Sequence, residues 1–311
     1  SINTKTFTIG FEDKNFDEFI YSKKIAKLIG SEHNELILNQ KEALNIIPSL
    51  SKVYDEPFAD SSQIPTILLS KFAKQQITVA LTGDGGDELF GGYNRYIFLM
   101  NFWKKISILP YPLRKIFAQT IDLFPLNFIN NFKGLFNFIS GSNVAFFGDK
   151  VSKFSHKMKY VKSLDELYLS SISTYQEPSS LLVGSNDLSK KIFELKKDLN
   201  YLDFQSLIMF IDSQTYLSDD ILCKVDRASM SCSLETRVPF LDKNVVNLAW
   251  RIPTSMKIKN KEGKWILKEV LTKYIPKKYF DRPKMGFGIP LGDWLRDELK
   301  EWAEHLLDKK N

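Results

Sequence analysis

The chain has 311 residues, 43% hydrophobic and 26% charged, with a formal net charge of +6 and an isoelectric point near 9.0. These are globular values, which exclude a disordered or fibrous chain and allow one large domain or two small ones. The lysines are scattered, with short clusters at Lys257–Lys264 and Lys309–Lys310 and no aromatic-flanked basic stripe. The expectation is a solvated basic surface with no nucleic-acid and no membrane partner, compatible with a phosphate-bearing small substrate.

The start, Ser1-Ile2-Asn3-Thr4-Lys5, carries neither Met nor a signal-peptide pattern. It reads as a piece cut from a longer protein. Thr6–Phe11 is short, β-branched and aromatic, a strand by composition. Asn15 and Glu18 form a capping box for a helix that stops at Gly30. Glu35–Leu38 is the next expected strand, followed by a helix and a break at Asp55-Glu56-Pro57. Ile64–Gln76 reads as a helix with Pro65 in its first turn. Ile77–Thr82 is an almost continuous apolar run, which predicts a parallel strand buried on both faces. Strand and helix thus alternate, the pattern of a doubly wound α/β fold.

After Tyr96 the texture changes. Phe102–Phe147 is crowded with Phe, Leu and Ile and reads as helical packing, and Ser163-Leu164-Asp165-Glu166 is a second capping box. From Leu202 onward the chain again reads mainly helical. Cys223 and Cys232 have no metal-ligand spacing and make no disulfide framework, so packed thiols in a reducing cytoplasm are expected. No apolar run reaches membrane-spanning length.

Three segments carry chemistry. In Leu81–Tyr93 an apolar strand ends at Thr82, and three of the next four residues are glycine, with Asp84, Asp87 and Glu88 among and just after them. Open α/β sheets bind ligands at the carboxyl ends of their strands, and acids there can hold Mg²⁺ through one or two carboxylates. In Ser218–Ser231, Ser218 or Asp219 can cap a helix that puts Asp220, Lys224, Arg227 and Ser231 on one face and Leu222, Val225 and Ser229 on the other. The charges of Glu235–Asp242, set among Val, Phe and Leu, are expected to be partly buried and paired. In Asp281–Pro290, two Pro and two Gly fix an irregular loop. Its Arg282 and Lys284 serve equally well as a basic surface or as cations for a phosphate.

Together these segments resemble the synthetase domain of the class B, glutamine-hydrolysing asparagine synthetases. The resemblance rests on Gly-Asp-Gly-Gly-Asp-Glu-Leu-Phe-Gly-Gly-Tyr, Lys-Val-Asp-Arg-Ala-Ser-Met, Glu-Thr-Arg-Val-Pro-Phe-Leu-Asp and Arg-Pro-Lys-Met-Gly-Phe in that order, and covers nearly the whole chain. It implies an α/β fold with a Rossmann-like parallel sheet of the adenine nucleotide alpha hydrolase type and a largely helical second part. The division it implies is a nucleotide-binding part at 1–100 and a mainly helical part at 101–311 that contributes the lysine loop.

The implied reaction uses ATP and Mg²⁺ to turn aspartate into β-aspartyl-AMP with release of pyrophosphate. Ammonia, made from glutamine by a glutaminase domain in cis, then gives asparagine. A homodimer is left open. The resemblance places the Ile9 backbone at adenine, Thr82 and Gly83 at the nucleotide, and Asp87 at Mg²⁺–pyrophosphate. Asp84 matches the acid-base group of amide formation, a Glu in some members, and Lys284 the lysine that stabilises charge during adenylation. The family's Ser-Gly-Gly-x-Asp-Ser loop, expected before Thr6, does not occur in this sequence, nor does the glutaminase domain. The chain by itself is therefore expected to be inactive and to bind ATP weakly. Other readings are a related amidotransferase or β-lactam synthetase acting on another carboxylate, a non-catalytic nucleotide-binding module, or an RNA-modifying enzyme of the same superfamily.

Overall fold

The computed structural model describes residues 4–11, 19–38, 40–134, 137, 147–173, 194, 197, 199, 201–281, 289 and 291–308. The capping box expected at Asn15 and Glu18 lies outside them, as does Arg282–Gly288 of the lysine loop. The chain divides into two compact units: Ser1–Phe90 with Asp212–Lys257 and Lys264–Asn311, and Gly91–Ile211 with Ile258–Gly263.

The first unit begins with a parallel β-α-β element. Strand β1 (Lys5–Phe11) pairs with β2 (Glu32–Leu38) from Lys5↔Glu32 to Phe11↔Leu38, with α1 (Phe19–Ile29) between them. Gly30 ends α1 at φ 69°, as its position predicts. β2 starts earlier than the apolar pattern alone indicates, because polar groups tie its head to β1. Thr6 Oγ1 lies 2.9 Å from both Ser31 Oγ and His33 Nδ1.

Helix α2 (Gln40–Ile46) and a 3₁₀ turn lead into α3 (Leu50–Tyr54), which stops where Asp55 turns left-handed at φ 62°. Helix α4 (Gln63–Lys74) follows, with Pro65 in its first turn. Ile64 and Ile67 of α4 join Tyr54, Ala228, Trp294 and Leu299 in the main core cluster. Burying each large apolar side chain there contributes roughly 1.5–3 kcal/mol.

Several expectations are corrected in this unit. Strand β3 is only Val79–Leu81 and is not buried on both faces: Leu81 is 74% exposed. It is hydrogen-bonded on one edge, to a parallel strand β4 (Glu235–Arg237) that the helical reading of this region does not contain. A three-residue strand with one short neighbour has no second layer to cover it. The class is thus α/β at a coarse level, mostly helical with small parallel sheets. Among the described residues β1–β2 and β3–β4 stay separate ladders and do not merge into one Rossmann-like sheet.

Neither Ser218 nor Asp219 caps a helix. Helix α11 (Phe204–Gln214) is followed almost at once by a π-helical stretch, Leu217–Leu222, and then by α12 (Cys223–Met230). Ser218 Oγ donates back to the carbonyls of Gln214 and Thr215. Lys224 faces inward, 8% exposed, with Nζ 2.5 Å from Asp60 Oδ2. Asp60 also accepts from Ser62 N and Oγ, both at 2.8 Å, and Tyr54 Oη donates to the Lys224 carbonyl.

The second unit packs helices α6 (Asn94–Ile106), α7 (Tyr111–Asp122), α8 (Leu126–Asn131), α9 (Phe147–Tyr160) and α10 (Leu164–Ile172). Ile106, Ala118 and Met158 form a core with Phe102 and Trp103. Ser163 Oγ caps α10 by accepting from Glu166 N, and Glu166 Oε2 reaches back to Lys162 N at 2.6 Å, one residue beyond the usual box. Gly91 and Gly263 meet so closely that a Cβ on Gly263 would lie 2.2 Å from the Gly91 carbonyl oxygen.

Burial alone would raise the Asp60 carboxyl, but the Lys224 ammonium and the two Ser62 donors outweigh it and hold it below the usual carboxylate range. Stability from this group is therefore present above the unfolded value near pH 4 and is lost as pH falls through the lower folded value. Lys224→Met leaves a mostly buried carboxylate without its cation. It is expected to cost up to about 3 kcal/mol in urea denaturation at pH 7, and pairing it with Asp60→Leu should restore most of that loss.

Candidate functional site

The site is built at the carboxyl end of β3. Both ends of the β3–β4 ladder are locked: Glu235 N donates to Thr78 O and Thr82 N to Arg237 O, each at 2.9 Å. After Arg237 the chain turns through a 3₁₀ segment, Pro239–Leu241, which lies on the loop that follows β3. Gly85 takes φ 77°, and a Cβ there would sit 2.6 Å from Leu241 Cδ2. A Cβ on Gly86 would sit 3.2 Å from Phe240 Cε2. A Cβ on Gly83 would meet nothing within 4 Å. The three glycines therefore differ in origin: Gly85 and Gly86 make room for Leu241 and Phe240, and Gly83 faces open space.

Gly86 starts α5 (Gly86–Phe90), with Asp87 and Glu88 in its first turn, where acids suit the helix dipole. Leu89 and Phe90 are buried against Ala249 of α13 (Lys243–Arg251), together with Phe240, Leu241, Ile266 and Leu267. The last two belong to α15 (Trp265–Leu271), which comes after the short α14 (Thr254–Lys257). That apolar contact brings the head of α15 to α5. Lys264 N donates to Phe90 O, and Lys264 Nζ stands 3.0 Å from Asp87 Oδ2.

The three acids part company. Glu88 is 1% exposed, Asp87 is paired with Lys264, and Asp84 is partly exposed with no partner for its carboxylate among the described residues. Thr82 Oγ1 is buried and has no hydrogen-bond partner among the described residues. Leaving such a hydroxyl unsatisfied costs about 1–3 kcal/mol. Ile9 sits in β1 with its side chain 4% exposed, and among the described residues no hydrogen bond joins β1 to the 82–87 loop. Lys284 lies outside the described residues. Glu235 and Arg237, expected to be partly buried, are exposed and pair with each other at 2.8 Å. Among the described residues no three His, Cys, Asp or Glu gather into a metal cage. A pocket of about 320 Å³ opens elsewhere in this unit, lined by Tyr54, Asp55, Glu56, Phe58 and neighbours, and holds none of the residues singled out by sequence.

Lys264 is the group that sequence reasoning missed, having been counted in a solvated cluster. Its signal is the Gly263-Lys264-Trp265 helix start. Lys264 takes φ 56°, a left-handed conformation that costs a non-glycine residue about 1–2 kcal/mol.

Gly85→Ala is expected to lower stability by about 2 kcal/mol, from its left-handed backbone and its overlap with Leu241. Gly83→Ala, with open space for the methyl, should melt with the parent in thermal denaturation.

Residues 2–311 match the family model described as asparagine synthase. The chain is 30% identical over 305 residues to asparagine synthetase [glutamine-hydrolyzing] 1 of Bacillus subtilis, covering 98% of this chain and 45% of that protein. It is 30% identical over 307 residues to a putative asparagine synthetase [glutamine-hydrolyzing] of Mycobacterium bovis, covering 96% and 43%. A 103-residue stretch is 40% identical to putative asparagine synthetase [glutamine-hydrolyzing] 2 of Methanocaldococcus jannaschii, 32% of this chain and 20% of that one. The chain thus spans less than half the length of these relatives. With the whole chain matched, it belongs to the asparagine synthase family.

Proposed function

We propose that this chain is the ATP-dependent, amide-forming part of an asparagine synthetase. It activates the side-chain carboxylate of aspartate as β-aspartyl-AMP, releases pyrophosphate and passes the acyl group to ammonia. The ammonia comes from glutamine through a glutaminase domain of the same protein. The observation that carries the reading is Thr82: a buried hydroxyl without a partner among the described residues, at the carboxyl end of a parallel strand, beside the open backbone of Gly83. A nucleotide hydroxyl or phosphate satisfies it, and the missing Cβ of Gly83 lets the nucleotide approach. Ile9 in β1 supplies backbone groups for adenine. On this reading a further strand carrying the phosphate loop completes a Rossmann-like sheet and covers Leu81.

The donor set fits Mg²⁺, which uses one or two protein carboxylates and takes the rest of its shell from phosphate and water. Asp87 is the carboxylate offered, and bound Mg²⁺ would neutralise charge on the leaving pyrophosphate. Lys264 balances Asp87 and puts a second positive charge beside the phosphates. Asp84, with no cation holding it, takes the proton from the attacking amine. Lys284, in the Pro- and Gly-containing segment of sequence after Phe280, stabilises negative charge developing on the α-phosphate and the attacking carboxylate. A fixed cation there favours the transition state over bound ATP.

Two measurements on the complete enzyme test this assignment. Asp84→Asn is expected to keep aspartate-dependent pyrophosphate release while asparagine formation falls about 10²–10⁴-fold. Equal loss of both would move Asp84 to adenylation. Lys284→Ala should slow pyrophosphate release by about 10²–10³-fold with ATP affinity little changed, and Lys284→Arg should rescue poorly because a planar fork does not replace a point charge. Wild-type adenylation in Lys284→Ala would remove that residue from the mechanism.

A further inference from the structure

The basic charge of this chain is not spread evenly. Between residues 98 and 162 there are ten Lys or Arg against two Asp and no Glu, in a chain whose whole net charge is +6. One of the two acids, Asp122, is already held by Lys159 at 3.0 Å. The same segment exposes large apolar side chains in an ordered way. On α7, Leu113, Ile116 and Phe117 fall at i, i+3 and i+4, one helical face, and each is more than half exposed. Arg114 and Ala118 of α7 are buried. Ile108 before α7 and Leu123 after it are both 80% exposed. Phe124, Phe128 and Phe132 then form a half-exposed ladder with ring centroids 5.2 and 5.3 Å apart. Lys105, Lys115, Lys150 and Lys153 are exposed on the same helices.

We propose that this face of the α6–α9 unit docks on an anionic lipid surface, lying on it without crossing it. An amphipathic helix that presents Phe, Leu and Ile beside a basic surround binds in this way: the apolar side chains enter the acyl boundary and the lysines meet lipid phosphates. Charge decides between occupants. A second copy would bring the same basic helices against each other, at like charge. Nucleic acid offers phosphate but no apolar layer for Leu113, Ile116 and Leu123. An anionic bilayer supplies both. No helix among the described residues is long and apolar enough to cross a membrane, and a surface-lying mode needs none.

The test is sedimentation of the full chain with vesicles of phosphatidylcholine alone or mixed with phosphatidylglycerol, at low and high salt. Binding is expected only to the anionic vesicles and is weakened by salt. Leu113→Ser with Phe117→Ser, and separately Lys105→Glu with Lys115→Glu, should each lower partitioning by about tenfold or more. All four sites are exposed, so circular dichroism and melting should match the parent. Failure of the folded parent to bind anionic vesicles would overturn the proposal, as would unchanged binding by the apolar variant. A dimer in sedimentation equilibrium that the apolar variant dissolves would assign the face to a second copy and overturn it equally.

Discussion

The contact on which the site depends is the ion pair between Asp60 and Lys224. Asp60 stands just before α4 and Lys224 near the start of α12, and each helix leads after a short turn into one strand of the β3–β4 ladder. Holding the two helix heads together brings the two strand starts side by side in parallel. Glu235 N meeting Thr78 O and Thr82 N meeting Arg237 O are the consequence at the far end. The pair is mostly buried, so its attraction is set against a desolvation cost, and its value lies as much in register as in stability. Ser62 matters because its N–H and hydroxyl fill the lone pairs of the other Asp60 oxygen, without which a buried charge is a liability, while Tyr54 fixes the backbone of Lys224 through its carbonyl.

Once the strands are side by side, the loop after β3 has little freedom. The turn at Pro239–Leu241 lies against it: a Cβ at Gly85 would overlap Leu241 on a left-handed backbone, and one at Gly86 would press on Phe240. Two of the three glycines in the most conspicuous motif thus answer to intramolecular packing. Glycine is equally the residue for close ligand approach and for close chain approach, and a run of letters does not distinguish them. The neighbours do, and for Gly83 they leave open space.

Legibility in the sequence followed how local each cause was. The β1 and α4 segments, the stop at Gly30 and the Asp55 break come from nearby residues, and they lie where propensity and turn chemistry place them. β4 was hidden because three residues with charged ends have no pattern of their own; they are a strand only because β3 is beside them. The π-helical stretch before α12 was hidden for a related reason. Lys224, at the head of the helix that follows, turns inward to meet Asp60, a partner 164 residues away that the residues around Lys224 do not announce. Within the site, the strand-end loop and its acids were legible from their crowding. The separate fates of Asp84, Asp87 and Glu88, and the presence of Lys264, depend on α15 packing against α5.

Lys264 shows how such a dependence bears on chemistry. Its left-handed backbone is strained, and the hydrogen bond from its N–H to Phe90 O together with the burial of Ile266 and Leu267 offsets that cost. The strain fixes the stem of a flexible side chain, so the ammonium reaches Asp87 from a set direction. There it neutralises the Asp87 carboxylate at 3.0 Å. Under the proposed function, an arriving phosphate would offer the ammonium more negative charge, and Asp87 would then be free to turn to a cation carried in with that phosphate. The pair would in that case keep the loop near neutrality before binding and separate into one anion site and one cation site on binding. A lone lysine or a lone aspartate in a partly buried loop would lack that balance and would repel half of a charged metal–phosphate substrate.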